Sequence, residues 1–221
     1  RMSEAERIHA RMRASIEHYD SEEAVQAAKE AVEAGVDLLE AVEKGFAEPI
    51  RELGEAFDRM EVFLPQLMLG SDAMKAGMAV MEKAIREAGG EVSSKGVVVI
   101  GTVEGDIHDI GKTVVAALLA ANGYQVHDLG VEVPASRFIE AAANLKADVI
   151  GMSALLSTTM LHQRDVLELL KGKGLRERYC VVVGGAPVTQ AWADEIGADG
   201  YARGAFEAVK LLDAKRAGWD K

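Results

Sequence analysis

The sequence is short of several things. It has one cysteine, aromatic residues make up only 5% of it, and Lys plus Arg (25) fall well behind Asp plus Glu (36). No apolar run reaches the length of a membrane-spanning helix. Each shortage excludes something. A lone thiol, Cys180, inside the apolar run Tyr179 to Val183 gives no disulfide framework, and it is expected to be a core residue in a reducing cytoplasm. A net charge of −11 argues against nucleic acid, whose phosphates need a basic surface. Few aromatics leave no stacking platform for single strands. With no signal pattern and no spanning segment, a soluble cytoplasmic protein is expected, without nucleic-acid or membrane partners.

What is present is ordinary in amount and distinctive in order. A chain of 221 residues with 49% hydrophobic and 28% charged residues can bury one or two real cores. Residues 1–89 are rich in Ala, Glu, Leu and Met and free of β-branched runs, which predicts helix throughout. Ser21-Glu22-Glu23 reads as a cap and acidic first turn for a helix ending at Gly35. Leu38, Leu39, Val42, Phe46, Ile50, Leu53 and Phe57 form one buried stripe after Asp37, with Pro49 as a possible kink. Pro65 suits the first turn of a last helix to Glu87. An all-α four-helix bundle is expected. Met74, Met78 and Met81 read as its core, and His9, His18 and His162 as surface or capping residues.

Residues 90–95, small and polar, read as a linker and a hinge. From 96 to 221 the period changes. Apolar runs at 96–100, 125–129, 148–152, 180–183 and 200–202 alternate with helical patterns at 113–121, 135–144, 158–171, 189–196 and 205–215. Strands apolar on both faces, alternating with helices, predict a Rossmann-like, flavodoxin-like α/β domain with a five-stranded parallel sheet. Ligands then gather in the loops after Ile100, Leu129, Met152 and Val183.

The first of those loops is Gly101-Thr102-Val103-Glu104-Gly105-Asp106-Ile107-His108-Asp109-Ile110-Gly111-Lys112. It admits three chemistries. Gly105 to Gly111-Lys112-Thr113 approaches a phosphate-cradling loop, but five residues (106–110) separate the glycines where four are needed. A bare metal bound by Asp106, His108 and Asp109, with His127 or Asp128, is the second. The third is His108 as the single axial ligand of a macrocyclic metal, its other ring nitrogen held by Asp106.

Asp106-x-His108-x-x-Gly111, then 41 residues (112–152), Ser153-x-Leu155, then 28 residues (156–183) and Gly184-Gly185 resembles the cobalamin-binding signature of base-off corrinoid proteins. The helices ahead of it, with Gly54, Phe57, Glu61, Phe63 and Pro65, are similar to the helical cap domain of corrinoid proteins in methyltransferase systems. The resemblance covers nearly the whole chain. It implies cobalamin or a related corrinoid, as methylcobalamin or hydroxocobalamin, with His108 binding cobalt in place of the cofactor's own base. Asp106 and a hydroxyl would stand behind it: Thr159 by position, with Ser157 and Thr158 as neighbours. Gly101, Thr102, Val103, Glu104, Gly105, Ile107 and Ile110 would line the lower face and tail. Ser153, Gly184, Gly185 and Ala186 would border the tail crevice, whose far end Tyr201, Ala202 and Ala205 would close. Phe63, Leu64 and Met68 would cover the upper face, though bundle core serves Phe63 equally well. The implied function is a methyl carrier whose cobalt cycles between cobalt(I) and methyl–cobalt(III). Its implied partners are a substrate-specific corrinoid methyltransferase, a second methyltransferase that serves the acceptor, and a reductive activase. The chain is then a subunit of an enzyme system rather than an enzyme alone. A cobalamin-dependent sensor or the small subunit of an adenosylcobalamin mutase are the rivals. The residues do not choose the methyl donor among methylamines, methanol, methoxylated aromatics and quaternary amines; overall similarity leans toward a methylamine-type or methoxyl donor.

Overall fold

The structure is a computed structural model and describes residues 2–90 and 94–219. It divides into two compact units, residues 1–93 and 94–221. Of the expected linker at 90–95, residues 91–93 lie outside the described residues.

The first unit contains α1 (Glu4–Glu17), α2 (Ser21–Glu33), α3 (Leu38–Val42), α4 (Glu48–Asp58) and α5 (Leu64–Glu87). A π-helical turn, Glu43–Ala47, joins α3 to α4 and makes them one rod, so the described residues of the unit form four helical rods. Pro49 lacks the N–H that a regular turn needs. The irregularity falls just before it, where the Glu48 N–H reaches back to the Glu43 carbonyl. The extra residue in the turn offsets the two halves of the predicted stripe. Phe46 and Ile50 are buried, whereas Leu39 is exposed. Ile8, Met12, Ile16, Ala27, Ala31, Leu67 and Met81 complete this core. At Gly77 an added Cβ would lie 2.3 Å from the Phe46 ring, so the absence of a side chain there lets Phe46 in.

Several local expectations need correction. Asp20, not Ser21, caps α2, its Oδ1 accepting the Glu23 N–H at 2.9 Å. Met81 is buried, but Met74 and Met78 are only half-buried. His9 is buried, not on the surface, and its Nε2 has no partner among the described residues. Phe63 is not bundle core. Gln66 Oε1 accepts the Phe63 N–H at 2.7 Å, which fixes Phe63 at the helix boundary and leaves it 73% exposed.

The second unit is built of β1 (Val97–Thr102), α6 (Ile110–Ala121), β2 (Gln125–Asp128), α7 (Ala135–Asn144), β3 (Val149–Ser153), α8 (Leu161–Gly172), β4 (Cys180–Gly184), α9 (Gln190–Ile196), β5 (Gly200–Tyr201) and α10 (Ala205–Lys215). All strands pair in parallel in the order β2-β1-β3-β4-β5, the predicted flavodoxin-like order. Val99, Ile150, Val181 and Val183 pack with Phe138, Leu167, Leu170 and Trp192 in the main core. The register sets Thr102 beside Ser153 and Ser153 beside Gly184, so the ends of β1, β3 and β4 form one rim. Two helices differ from expectation. α6 begins at Ile110 rather than Thr113, and α8 at Leu161 rather than Thr158, because Thr159 is used in a turn. Cys180 is half-buried rather than fully enclosed, and burial pushes its thiol up to about 11. Among the described residues no helix is long and apolar enough to cross a membrane.

Candidate functional site

A buried carboxylate stands at the rim of the strand ends. Asp106 follows β1 in the loop to α6 and is 1% exposed. The loop is fixed by its backbone: the Asp106 N–H donates to the Val103 carbonyl at 3.1 Å, and the Asp106 carbonyl accepts the Glu132 N–H at 3.0 Å. The carboxylate accepts four hydrogen bonds. Oδ1 takes the His108 N–H at 3.0 Å and the His108 ring Nδ1 at 2.8 Å. Oδ2 takes the Leu155 N–H at 2.8 Å and the Thr159 hydroxyl at 2.6 Å. Burial alone would raise the pKa of this carboxyl. The bonds from Thr159, Leu155 and His108 outweigh it and hold Asp106 well below the usual carboxylate range.

An ionised carboxylate only accepts, so the hydrogen between Asp106 and His108 sits on Nδ1. In the neutral form of the ring the lone pair is then on Nε2. The His108 side chain is 46% exposed, and Nε2 has no partner among the described residues. The arrangement therefore presents one oriented imidazole nitrogen, backed by a buried charge, at the open end of a parallel sheet.

The other sequence candidates divide by burial. Gly101, Thr102 and Val103 are buried beneath the loop, Gly101 against the Phe138 ring, so they support it rather than face outward. Glu104, Gly105, Ile107, Ile110 and Gly111 are exposed around His108. A Cβ added at Gly111 would meet no atom within 4 Å, which leaves room beside the first turn of α6. Of the three candidate hydroxyls, Thr159 is the one that reaches Asp106, while Ser157 and Thr158 are exposed. Ser153 lies in the rim, its carbonyl accepting the Val103 N–H at 3.0 Å. Gly184, Gly185, Ala186, Tyr201 and Ala202 lie at the ends of β4 and β5, with Ala205 starting α10. Gly185 answers a need of the chain itself: a Cβ there would fall 1.7 Å from the Ala154 carbonyl oxygen. Phe63, Leu64 and Met68 belong to the first unit, with Phe63 and Met68 exposed and Leu64 half-buried.

The two rival chemistries lose their residues. Among the described residues no group of three His, Cys, Asp or Glu side chains can hold a bare metal ion. Lys112 is buried, and its Nζ donates to both oxygens of Asp128 at 2.5 Å, so neither is free for a phosphate or a cation. His127 Nε2 lies 3.2 Å from the Gln125 side-chain nitrogen.

Sequence reasoning missed two supports. The Lys112–Asp128 pair is one. The other is Gln163, fully buried, whose Nε2 donates to the carbonyls of Met152 (3.2 Å) and Gly184 (3.1 Å) while its Oε1 accepts from Trp192 at 3.0 Å. It ties the ends of β3 and β4 to α9. The signal was available: Gln163 stands on the apolar stripe with Val166, Leu167 and Leu170, where a polar residue needs a buried partner.

Comparison with known proteins gives a consistent picture. A B12 binding domain family matches residues 96–210, and a second B12 binding domain family matches residues 8–82. The chain is 52% identical over 186 residues to dimethylamine corrinoid protein 2 of Methanosarcina acetivorans, covering 84% of each. It is 44% identical over 213 residues to trimethylamine corrinoid protein 1 of the same organism, covering 96% of this chain and 99% of the relative. Its fold is similar to a chain of the methanol:cobalamin methyltransferase complex MtaBC from Methanosarcina barkeri. The TM-score is 0.85 at 31% identity, covering 96% of this chain and 80% of that one.

Proposed function

The chain belongs to the family of B12-binding corrinoid proteins, and from that premise we propose that it is a methyl carrier in which His108 is the lower axial ligand of a corrinoid cobalt. The observation that carries the ligand assignment is the 2.8 Å contact between Asp106 Oδ1 and His108 Nδ1. An ionised carboxylate only accepts, so the hydrogen belongs on Nδ1 and the lone pair of Nε2 is left to bind a metal. The surroundings fit a large flat group. Ile107 and Ile110 offer exposed apolar surface beside His108, and Gly111 leaves open space.

When bound, the corrinoid supplies a cobalt that accepts and passes on a methyl group as its oxidation state moves between I and III. The protein's part is to hold, orient and shield. Asp106 keeps Nε2 aimed by holding the opposite ring nitrogen. Thr159 and the Leu155 N–H keep Asp106 ionised. The rim from Ser153 through Gly184 to Tyr201 and Ala202 is the proposed bed for the cofactor's nucleotide tail. Exposed Phe63 and Met68, with Leu64, give the helical unit an apolar face suited to shielding the cofactor's upper side. We assign residues 1–89 to that shielding role and 96–221 to cofactor binding.

The relatives' names favour a methylamine as the methyl source, delivered by a substrate-specific methyltransferase. A second methyltransferase would take the group, and a reductive activase would restore oxidised cobalt, all in the cytoplasm. Reconstitution with hydroxocobalamin tests the ligand directly. Wild type is expected to show a spectrum with the cofactor's own base displaced and histidine bound, and His108→Ala is expected to lose it. A His108→Ala protein that keeps the wild-type spectrum would refute the assignment.

A further inference from the structure

We propose that the Lys112–Asp128 ion pair is a positioning clamp for His108, acting on the segment that aims the ring rather than on the ring itself. The inference rests on the reading of His108 as the metal ligand, but the geometry behind it does not.

The segment from His108 to Lys112 is tied at both ends to the same turn. At its start, the His108 carbonyl accepts the Thr102 hydroxyl at 2.9 Å, and the Thr102 N–H donates to the Gly130 carbonyl at 3.0 Å. At its end, Lys112 Nζ holds both oxygens of Asp128 at 2.5 Å. The turn closes on itself, because Asp128 Oδ1 also accepts the Gly130 N–H at 2.8 Å. A continuous ring of bonds thus runs from His108 through Thr102, Gly130, Asp128 and Lys112, and back along the chain to His108. The turn in question follows β2, the strand beside β1, so the histidine segment is referenced to the sheet at two points.

The placement of Lys112 is not explained by the helix it belongs to. It lies in the first turn of α6, where the helix dipole disfavours a cation, and it is 3% exposed, where an unpaired ammonium is costly. Asp128 answers both objections. Its side chain is 36% exposed, so the pair reaches the surface on the acid's side alone. A pair that merely fastened α6 to β2 would do as well anywhere along the helix. This one sits four residues after His108, at the point where the aiming loop ends.

The clamp is tested by native-state hydrogen exchange on the full chain, without cofactor and with hydroxocobalamin. Asp128→Asn keeps an oxygen for the Gly130 N–H and removes the charge. Lys112→Met/Asp128→Asn removes the pair without leaving a buried charge behind. In both, the His108 amide, bonded to Asp106, is expected to exchange at least roughly tenfold faster while amides in β1 and β3 keep their protection, the pattern of a local opening. The same variants are expected to bind hydroxocobalamin with a smaller histidine-ligated fraction. If the double variant does not fold, Asp128→Asn decides alone. Wild-type protection at His108 would overturn the proposal. So would a uniform loss across the sheet, or failure of Asp128→Asn to fold, since each would make the pair a general structural contact. Exchange in the cofactor-free protein judges the clamp, and His108→Ala judges the ligand, so the two ideas fail separately.

Discussion

Asp106→Asn is expected to cost on the order of 3 kcal/mol of stability and to flatten the acid limb of the stability curve. The carboxylate receives two donors on each oxygen. An amide replaces one acceptor with a donor, so it must face either the Leu155 N–H with the Thr159 hydroxyl, or the two hydrogens of His108. Thr159 has an escape, because its hydroxyl can turn to the Leu156 carbonyl at 3.1 Å. The His108 ring can shift its hydrogen to Nε2 and accept instead, at the cost of its orientation, but the backbone N–H groups of Leu155 and His108 cannot adapt in this way. The pH effect follows from the depressed pKa of Asp106 in the folded chain. Its stabilisation is fully present above the unfolded value of about 3.9 and is lost as pH falls toward the folded value. Wild type should therefore lose stability progressively below about pH 4, and the Asn variant should lack that part of the slope. Denaturant unfolding across acid pH measures both. An Asn variant with wild-type midpoints and slope would mean that the four bonds hold nothing.

The second large effect is expected at Gly185, and its contrast with Gly111 makes it informative. Gly185 has φ +123°, and a Cβ there would meet the Ala154 oxygen at 1.7 Å, its carbonyl carbon at 2.7 Å and its nitrogen at 2.9 Å. None of these atoms is the end of a flexible side chain. Ala154 is itself fixed, its N–H donating to the Gly184 carbonyl at 3.1 Å. Displacing it drags Leu155, whose N–H serves Asp106. Gly185→Ala is expected to lose several kcal/mol and to lower the melting temperature by roughly 10 °C or more. Gly111→Ala adds its methyl to open space and should melt like wild type, and if that space receives the corrinoid, as proposed, the variant should take up hydroxocobalamin more weakly. Thermal melts of both variants, with cofactor titration of the second, decide the matter. Equal melts would contradict the steric reading of Gly185, and undiminished uptake by Gly111→Ala the reading of the space.

Much of this was legible in the sequence, for definite reasons. Apolar runs such as 97–100 and 149–152 alternate with helical patterns, and Asn122-Gly123 ends a helix just before β2, so the parallel sheet could be read from periodicity. Its order is expected from the flavodoxin-like pattern of five strands. The hydrogen bond between Asp106 and His108 is expected from their separation of two residues and is present at 2.8 Å, whereas the choice of a macrocyclic metal over a phosphate or a bare ion comes from the resemblance and not from the loop itself. Harder were features whose cause is tertiary. The π turn before Pro49 shifts the helical register, and no local propensity announces it. Thr159 is the hydroxyl expected by position in the resemblance, and the turn after β3 does point it to Asp106, but three adjacent hydroxyls carry no local signal of their own that would choose it over Ser157 or Thr158. Lys112 looked like a failed phosphate ligand because its partner lies 16 residues on, at the end of another strand. The glycine pair 184–185 was read as room for a ligand, and at Gly185 the room is taken by Ala154.

The central claim is that the nitrogen bound to cobalt belongs to His108. The most direct measurement is electron paramagnetic resonance of the reconstituted protein with its cobalt reduced to the divalent, paramagnetic state. The protein is grown with histidine carrying the heavy, spin-one-half isotope of nitrogen, and the corrinoid is unlabelled. The expected result is that the triplet splitting on the cobalt lines becomes a doublet with labelled histidine, and that no nitrogen splitting from histidine survives in His108→Ala. A triplet that persists with labelled histidine would place the cofactor's own base on the metal and contradict the claim.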